Sequence, residues 1–276
     1  MRRGSLLEGL LFALALACFA YGYGWGRGDG RPPLPGERLE DGLRVMTWNV
    51  GRATAKGPRP LADEDLAHVA SVLEELRPDL CFLEEVRSAR QATELARDLG
   101  GGWSAEVSRG RMGRLVAALS RGGELRVEGR APRGALAVSL RSAAGFRVRA
   151  TGVHADAFSA ERRNELLGAA TDALLASSGD AALCILAGDF NLDLDLDKRR
   201  DLFSDDAYRD VETYNYVAGL LRDAARGSGA TAEPDRRLDY VFVGAGAPIR
   251  AAGPLRGLRE GEMDHDPLVV DLGPPR

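Results

Sequence analysis

Short apolar runs recur along most of this chain and predict a series of buried β-strands. Glycine, proline and serine separate many of these runs, as expected for the turns between strands. The predicted strands cover residues 43–50, 79–86, 103–107, 114–120, 124–130, 134–141, 146–153, 182–188, 238–243 and 267–272.

Amphipathic stretches between the strands have apolar residues at helical spacing. Asp63 and Ser88 are candidate N-caps at the start of two of these stretches. Strands in series, with helices that can cover their outer faces, predict two packed sheets with helices outside. The predicted helices cover residues 63–77, 88–100 and 159–178, with a short helix near 215–226.

The N-terminal segment differs from the rest of the chain in charge and hydropathy. Two arginines precede a stretch without any charge, residues 10–26, which ends in aromatic side chains. This pattern predicts a signal sequence or a single membrane anchor over 1–26, followed by a Gly/Pro-rich linker over 27–42. A buried helix is the less favoured alternative, because the segment is apolar on all sides. The remaining 43–276 is then one domain outside the cytoplasm, either membrane-anchored or secreted.

Composition and cysteine usage exclude some classes of protein. The chain has 276 residues, of which 45% are hydrophobic and 28% charged, the balance of an ordinary globular protein. The net charge of −4 argues against tight, sequence-independent binding to duplex nucleic acid, although it allows a local basic groove. Cys81 and Cys184 lie in apolar runs and are predicted to be buried thiols, with a disulfide between them as the alternative. No cysteine–histidine cluster has the spacing of a zinc site.

Polar residues follow several of the apolar runs directly, at positions where a sheet scaffold builds functional sites. Each residue alone has an ordinary explanation as a turn residue, a solvated charge or a satisfied core histidine. Two of the three histidines belong to this set, however, whereas His68 lies on a predicted helix and is interpreted as structural. The set consists of Asn49, Glu84, Glu85, His154, Asp189, Asn191, Asp239, Asp264 and His265.

The residue types in this set favour metal-assisted hydrolysis of a phosphate ester. Carboxylate and carboxamide oxygens suit hard cations such as Mg²⁺, Mn²⁺ or Ca²⁺. A histidine beside an aspartate can donate a hydrogen bond to an oxyanion, and an Asp and an Asn two residues apart can orient a water. The sequence contains neither the G-x-S-x-G motif of serine hydrolases nor a P-loop, which argues against those two classes.

Six motifs carry a family resemblance: TWNV, FLEEV, GVHAD, LAGDFNLD, RRLDYVFV and MDHDPLVV, in this order. The set resembles the endonuclease/exonuclease/phosphatase superfamily, the pancreatic-deoxyribonuclease-like fold, over residues 43–272. The resemblance implies an α+β fold, a four-layer α/β/β/α sandwich of two packed, mostly antiparallel sheets with helices on the outer faces. It also identifies 43–276 as the catalytic domain.

The resemblance further implies which residues hold a metal ion and position the water. Glu85 would be the main ligand of Mg²⁺, for which Mn²⁺ could substitute. Asn49 would help to hold metal or phosphate, and Asp264 would belong to the metal shell. Asp189 would orient or deprotonate the attacking water, and Asn191 would fix Asp189 and bind the substrate phosphate.

Four further residues would contact the reacting phosphate or support a group that does. His265 would stabilise the pentacovalent phosphoryl oxygens, with Asp239 as its partner. His154 would contact a phosphate oxygen or assist the leaving group, and Arg87 would bind a backbone phosphate.

Some positions depart from the family pattern. Glu84 stands where glutamine is usual and Met263 where serine is usual, and neither change removes a catalytic group. The segment 104–123 lacks the aromatic and acidic residues expected beside the second histidine of a deoxyribonuclease. It carries three arginines instead, which form either a solvated loop or a basic edge that faces phosphate. These are Arg109, Arg111 and Arg114.

The sequence therefore predicts a Mg²⁺-dependent phosphoesterase that hydrolyses phosphodiester bonds, with nucleic acid as the leading substrate. The alternative is a phosphatase or phospholipase C-type enzyme on lipid headgroups or sugar phosphates, which the predicted membrane anchor favours mildly. A non-catalytic binding module with the same fold is less favoured, because the catalytic set is intact. The N-terminal segment predicts contact with a membrane, and no protein partner can be inferred.

Overall fold

Two six-stranded β-sheets form the centre of the structure and pack face to face. The computed structural model describes residues 32–275 except 111–113, 130, 178, 180 and 195–203. From Pro32 onward these residues belong to one compact unit. The predicted signal or anchor segment, 1–26, lies outside the described residues, as does the beginning of the predicted linker.

Sheet 1 combines strands from both ends of the described chain. Its strand order is β13-β14-β1-β4-β6-β5, in which the pair β1 and β4 is parallel and all other pairs are antiparallel. The bounds are β1 Leu43–Asn49, β4 Leu80–Val86, β5 Trp103–Val107, β6 Leu115–Arg121, β13 Ile249–Pro254 and β14 Leu268–Leu272.

Sheet 2 repeats this arrangement with strands from the middle of the chain. Its order is β11-β12-β10-β9-β8-β7, and only the pair β9 and β10 is parallel. The bounds are β7 Arg126–Val127, β8 Ala135–Arg141, β9 Arg147–His154, β10 Leu183–Asp189, β11 Arg222–Asp223 and β12 Asp239–Val243. A separate two-stranded ladder consists of β2 Arg52–Thr54 and β3 Gly57–Arg59.

Helices cover the outer face of each sheet, two on either side. Apolar side chains fill three layers: one between the sheets, one between sheet 1 and the first two helices, and one between sheet 2 and the last two. The predicted α+β fold, a four-layer α/β/β/α sandwich, is confirmed. The helices are α1 Leu66–Leu76, α2 Ala89–Asp98, α3 Ala160–Ala176 and α4 Ala207–Leu220.

The alternation of side chains along β1 explains how polar residues enter the space between the sheets. Val45 belongs to the layer between the sheets, whereas Met46 and Trp48 belong to the layer under α1 and α2. The period of two in a β-strand therefore directs Thr47 and Asn49 inward as well. A strand that begins with inward apolar residues thus ends with inward polar ones.

The helix boundaries differ from the prediction at two places. A 3-10 turn, Asp63–Asp65, precedes α1, and the carboxylate of Asp63 accepts a hydrogen bond from the Gln91 side chain, so its predicted N-cap role is wrong. The predicted cap Ser88 is confirmed, because its hydroxyl accepts the Gln91 backbone N–H at 3.3 Å. Helix α4 begins earlier than the predicted 215–226, because Asp206 caps it by accepting the Arg209 N–H at 3.0 Å.

The two described cysteines lie on opposite outer faces of the sandwich. Cys81 packs in the layer between sheet 1 and its helices, and Cys184 packs in the layer between sheet 2 and its helices. Both are free thiols, and burial raises the pKa of each. The disulfide alternative is therefore wrong, because both sheets stand between the two sulfur atoms.

The predicted linker is described only from residue 32 onward, and this part contacts sheet 1. The Ala252 N–H donates to the Pro33 carbonyl at 2.9 Å, and Arg38 forms an ion pair with Asp79. Within the described ranges, no helix has both the length and the hydropathy needed to cross a membrane.

Candidate active site

The carboxyl ends of the two parallel strand pairs meet across the sandwich. In sheet 1, Asn49 at the end of β1 pairs in register with Glu84 on β4. In sheet 2, Asp189 at the end of β10 pairs in register with His154 at the end of β9. The Asn49 side-chain Nδ2 donates to Asp189 Oδ2 at 3.0 Å, so one hydrogen bond joins the two sheets at this point.

The turn after β10 fixes the Asp189 carboxylate. Gly188 has a φ of 143° and approaches β9 so closely that a Cβ would lie 1.9 Å from the Val153 carbonyl oxygen. Asn191 has a φ of 50°, and both its backbone N–H, at 2.9 Å, and its Nδ2, at 3.1 Å, donate to Asp189. Together with Asn49, three N–H groups hold this carboxylate in one orientation.

Asp239 and His265 form a buried pair beside Asp189. Because β12 runs antiparallel to β10, its first residue, Asp239, lies in register with Asp189. His265 Nδ1 lies 2.8 Å from Asp239 Oδ2, and both residues are buried. Burial alone would lower the pKa of His265, but the carboxylates of Asp239, Asp189 and Asp264 outweigh it and raise that pKa well above its usual value.

A β-bulge in β4 places two successive glutamates at the site. The register between β4 and β6 shifts between Leu83 and Val86, and Glu85 has a φ of 60°. Glu84 continues the inward side of the strand, where its Oε1 accepts the Thr47 hydroxyl at 2.8 Å. Without the bulge Glu85 would face the helices, so the irregular backbone turns it toward the catalytic cluster.

Glu84 is fully buried and lacks a complete set of partners. Its Oε2 has no hydrogen-bond partner among the described residues. Burial, and then the negative charge of Asp239, raise the pKa of Glu84 well above its usual value. The departure from the family's glutamine therefore adds a carboxyl group behind the site, where no arginine or lysine among the described residues pairs with it.

Glu85 and His154 lie where the two sheets meet. His154 Nε2 is 3.7 Å from Glu85 Oε1 and 3.7 Å from Asp189 Oδ2, so the ring bridges a carboxylate of each sheet. Burial raises the pKa of Glu85, although the charge of His154 opposes the shift. Gly51 leaves room for this side chain, because a Cβ at that position would lie 2.1 Å from Glu85 Oε2.

Asp264 and Arg87 occupy the edges of the site. Asp264 is half-buried next to His265, and burial raises its pKa against the opposing charge of that histidine. Arg87 is 41% exposed, and its Nη1 lies 3.6 Å from Asp63. The structure therefore brings Asp264 to the cluster but gives Arg87 an ion-pair partner outside it.

The donor set fits a divalent cation. Glu85, Asp189 and Asp264 supply carboxylate oxygens, and among the described residues the ion-pair neighbour of the first two is His154. Negative charge that no arginine or lysine neutralises is what a hard cation would compensate. Donor atoms of Asp189, Asp239 and His265 also lie within 4.8 Å of one another, but the last two already bond to each other.

Two further residues, Thr231 and Gly51, shape the site without belonging to any of its sequence motifs. The Thr231 hydroxyl accepts the backbone N–H groups of Leu238 and Asp239 at 3.0 Å each, and so fixes the start of β12. Gly51 follows the TWNV motif directly, and its need for a missing Cβ becomes visible only when Glu85 is placed against it.

One family model matches the sequence of this chain. The family model described as "Endonuclease/Exonuclease/phosphatase family" matches residues 46–259, a span that includes every predicted site residue except Asp264 and His265. No curated protein matches the sequence.

Solved structures with the same fold include two phosphatases that are named for different reactions. A 3' phosphatase from Neisseria, solved with a product DNA hairpin, has a TM-score of 0.65 and 16% identity over 83% of this chain and 99% of its own. A mannosyl-6-phosphatase from Bacteroides thetaiotaomicron has a TM-score of 0.61 and 17% identity, covering 83% and 99%. The catalytic domain of human Nocturnin, with bound sulfate, has a TM-score of 0.61 and 19% identity, covering 86% and 96%. At these identities the likeness concerns the fold alone.

Proposed function

Because the chain belongs to the endonuclease/exonuclease/phosphatase family and is a phosphoesterase of that class, we propose that it hydrolyses phosphodiester bonds in nucleic acid. The reaction is an in-line attack of water on phosphorus, in which positioning and charge neutralisation supply most of the rate. The observation that carries this proposal is the convergence of Asp189, held by three N–H donors, with the buried pair of His265 and Asp239.

Each side chain of this cluster has a role in the proposed reaction. Asp189 orients the attacking water and accepts its proton, and Asn191 holds Asp189 and contacts the phosphate. His265 donates from Nε2 to a phosphoryl oxygen as negative charge develops there, because its Nδ1 is held by Asp239. His154, whose Nε2 is 3.7 Å from Asp189, contacts a phosphate oxygen on the leaving-group side.

A divalent cation, Mg²⁺ with Mn²⁺ as a substitute, is the proposed cofactor. Glu85 and Asp264 would hold it through carboxylate oxygens, and Asn49 would orient the ligands from β1. When bound, the ion neutralises charge on the phosphate oxygens in the transition state. Arg87 is proposed to bind a neighbouring phosphate, for which it would have to exchange its contact with Asp63.

The test of this function is a substrate panel. The full chain is incubated with plasmid DNA, RNA, sphingomyelin, inositol phosphates and a sugar phosphate, each with and without EDTA. Cleavage of DNA or RNA that stops with EDTA and returns with Mg²⁺ or Mn²⁺ supports the proposal. Turnover of the lipid or sugar substrates alone would contradict it in favour of the phosphatase or phospholipase alternative, and restoration by zinc alone would contradict the proposed oxygen-ligand site.

Export of the domain is a separate proposal that rests on the sequence alone. The positive flank and the uncharged stretch 10–26 support translocation of everything that follows, with the segment 1–26 as signal or anchor. A reporter fused after Arg276 tests this directly. Activity of a periplasmic or extracellular reporter is expected, and a reporter active only in the cytoplasm would contradict the proposal.

A further inference from the structure

A groove of about 430 Å³ opens beside His154. It is bounded by the turn before β8, the loop after β9, the start of α3 and the residues before β6. Its lining includes Arg114, Arg133, His154, Asp156 and Arg162.

The two sheets each contribute one arginine to this groove, close to a residue of the catalytic cluster. The His154 N–H donates to the Gly134 carbonyl at 2.7 Å, which ties Arg133 to the end of β9. Leu115 pairs in register with Val86, directly after the bulge that carries Glu85, so Arg114 lies at the catalytic end of sheet 1. The backbone therefore holds both arginines at the rim of the site.

The charges in the groove leave these two arginines available to an anion. Arg162 lies 3.2 Å from Asp156, and the two side chains neutralise each other. The Asp156 carboxylate also accepts the backbone N–H groups of Phe158 and Ser159. Arg114 and Arg133 are exposed, and neither forms an ion pair with another described residue. The one further acid in the lining is Glu165, which is exposed to solvent.

We propose that Arg114 and Arg133 bind a second phosphate of the substrate, one linkage away from the phosphate that is cleaved. This inference rests on the proposed function, and it names the substrate class more closely: a nucleic acid strand with at least two phosphates. The groove volume suits a nucleotide, since pockets for ligands of that size occupy about 300 Å³ or more. Guanidinium groups are the usual partners of phosphate, because they can donate two parallel hydrogen bonds to it.

An exposed aromatic residue beside the groove favours a strand of nucleotides over a small bisphosphate. Phe158 is 62% exposed and lies in the loop that joins the groove residue Asp156 to α3. Bases of single strands stack on exposed aromatic rings next to basic grooves that follow the backbone. The chain's net charge of −4 means that this attraction comes from the local pair of arginines rather than from the protein as a whole.

The experiment compares two substrates that differ only in a second phosphate: a dinucleotide with one phosphodiester, and the same dinucleotide with a terminal phosphate. The kcat/KM ratio of the second to the first is measured for the full chain and for Arg114→Gln, Arg133→Gln and the double variant. We expect the second phosphate to raise kcat/KM roughly 10-fold, and the double variant to bring the ratio close to 1. Arg126→Gln, an exposed arginine on β7, is the matched control and should retain the ratio.

Binding of a labelled single-stranded oligonucleotide in EDTA supplies a readout that does not need turnover. The double variant should bind at least 10-fold more weakly, with a salt dependence reduced by roughly one unit for each arginine lost. If no phosphoester is hydrolysed, the proposed function fails, and the binding measurement alone then decides about the groove. Unchanged ratios together with unchanged binding in the double variant would overturn the inference and leave these arginines as a solvated basic edge.

Discussion

The two parallel strand pairs have the same topology, but the polar side chains at their ends are held in different ways. At the end of sheet 2, Asn191 donates to Asp189 at 2.9 and 3.1 Å. Asp239 holds His265, which enters from the loop before β14 of sheet 1, at 2.8 Å. In sheet 1, Glu85 lies 3.7 Å from His154, its ionic neighbour, and a β-bulge in β4 turns the Glu85 side chain toward the site.

The contrast assigns a different task to each half of the sandwich. Side chains that hydrogen-bond to one another are positioned by the protein alone, as preorganised catalysis requires. Carboxylates whose charge no arginine or lysine balances require another positive charge nearby. A divalent cation has the required charge and ligand preference. The carboxylates of sheet 2 therefore position the water and hold His265, while Glu85 on sheet 1 and Asp264 in the loop before β14 are the proposed metal ligands.

The largest effect is expected from disrupting the hydrogen-bonded pair of His265 and Asp239. His265→Ala removes a preorganised donor to developing negative charge, which costs on the order of 100- to 1000-fold in kcat with little change in KM. Asp239→Asn should lower kcat in the same direction. The double variant should lose little beyond the worse single variant, because the two side chains act as a unit.

The measurement is steady-state kinetics of the three variants on the substrate that the panel identifies. Full additivity of the two single losses, or near-normal turnover of His265→Ala, would show that the pair is structural. His68→Ala serves as the control, because that histidine hydrogen-bonds to the Leu258 carbonyl and is not one of the residues assigned a role in the reaction.

The next largest effect is expected at the proposed metal ligand Glu85, and this effect should depend on the cation. Glu85→Gln keeps the shape of the side chain but removes its charge, so activity should fall about 100-fold and recover in part at high Mg²⁺. Thermal unfolding supplies a second readout: Mg²⁺ should raise the Tm of the wild type and raise it less in the variant. The exposed Glu75→Gln is the matched control. An equal Mg²⁺-induced shift in Glu85→Gln and wild type would remove Glu85 from the metal site.

A smaller and more specific effect is expected where the backbone leaves room for Glu85. Gly51→Ala places a Cβ 2.1 Å from the present position of Glu85 Oε2, so the carboxylate must move while its charge remains. We expect about a 10-fold rise in the Mg²⁺ concentration needed for half-maximal activity, because displaced ligands bind more weakly. Gly246→Ala is the control, since nothing lies within 4 Å of a Cβ there. If both variants respond to Mg²⁺ alike, Glu85 is not confined by Gly51.

The sequence was sufficient for the polar strand ends because their signal is local. A buried apolar run followed directly by Asp189 or His154 identifies both the strand and the residue that it presents. The period of two then fixes the face on which each side chain lies. The four-layer fold followed from the family resemblance of the same motifs, and the family match over residues 46–259 bears it out.

Features that depend on contacts between distant segments were not predictable in this way. Strand β13 contains Ala251, Ala252, Gly253 and Pro254, which have little intrinsic preference for a strand, and it forms because β14 offers an edge. Thr231 lies in a loop without periodicity, and its hydrogen bonds to β12 come from the tertiary fold. The bulge that re-aims Glu85 likewise appears only in the pairing of β4 with β6.

The smallest expected effect concerns stability rather than turnover. It involves Glu84, the acidic residue that stands where glutamine is usual in the family. Burial and Asp239 raise its pKa in the folded state above the usual value of 4.5. A raised folded pKa means that the contribution to stability is fully present below the unfolded pKa and is lost as the pH rises through the folded pKa. Glu84→Gln should therefore be close to wild type in stability near pH 4 and more stable at pH 8, by about 1 kcal/mol or more.

The geometry supports this sign. A glutamine Oε1 can accept the Thr47 hydroxyl as Glu84 does, and its Nε2 supplies N–H donors where the Glu84 Oε2 has no partner among the described residues. Urea unfolding in EDTA at both pH values measures the difference without interference from bound metal, with Glu75→Gln as an exposed control. A stability difference between Glu84→Gln and wild type that stays constant from pH 4 to pH 8 would show that Glu84 does not change its protonation between the folded and unfolded states. Glu84 would then be ionised at pH 8 in the folded protein, and the unbalanced negative charge beside the site would include Glu84 as well as Glu85 and Asp264.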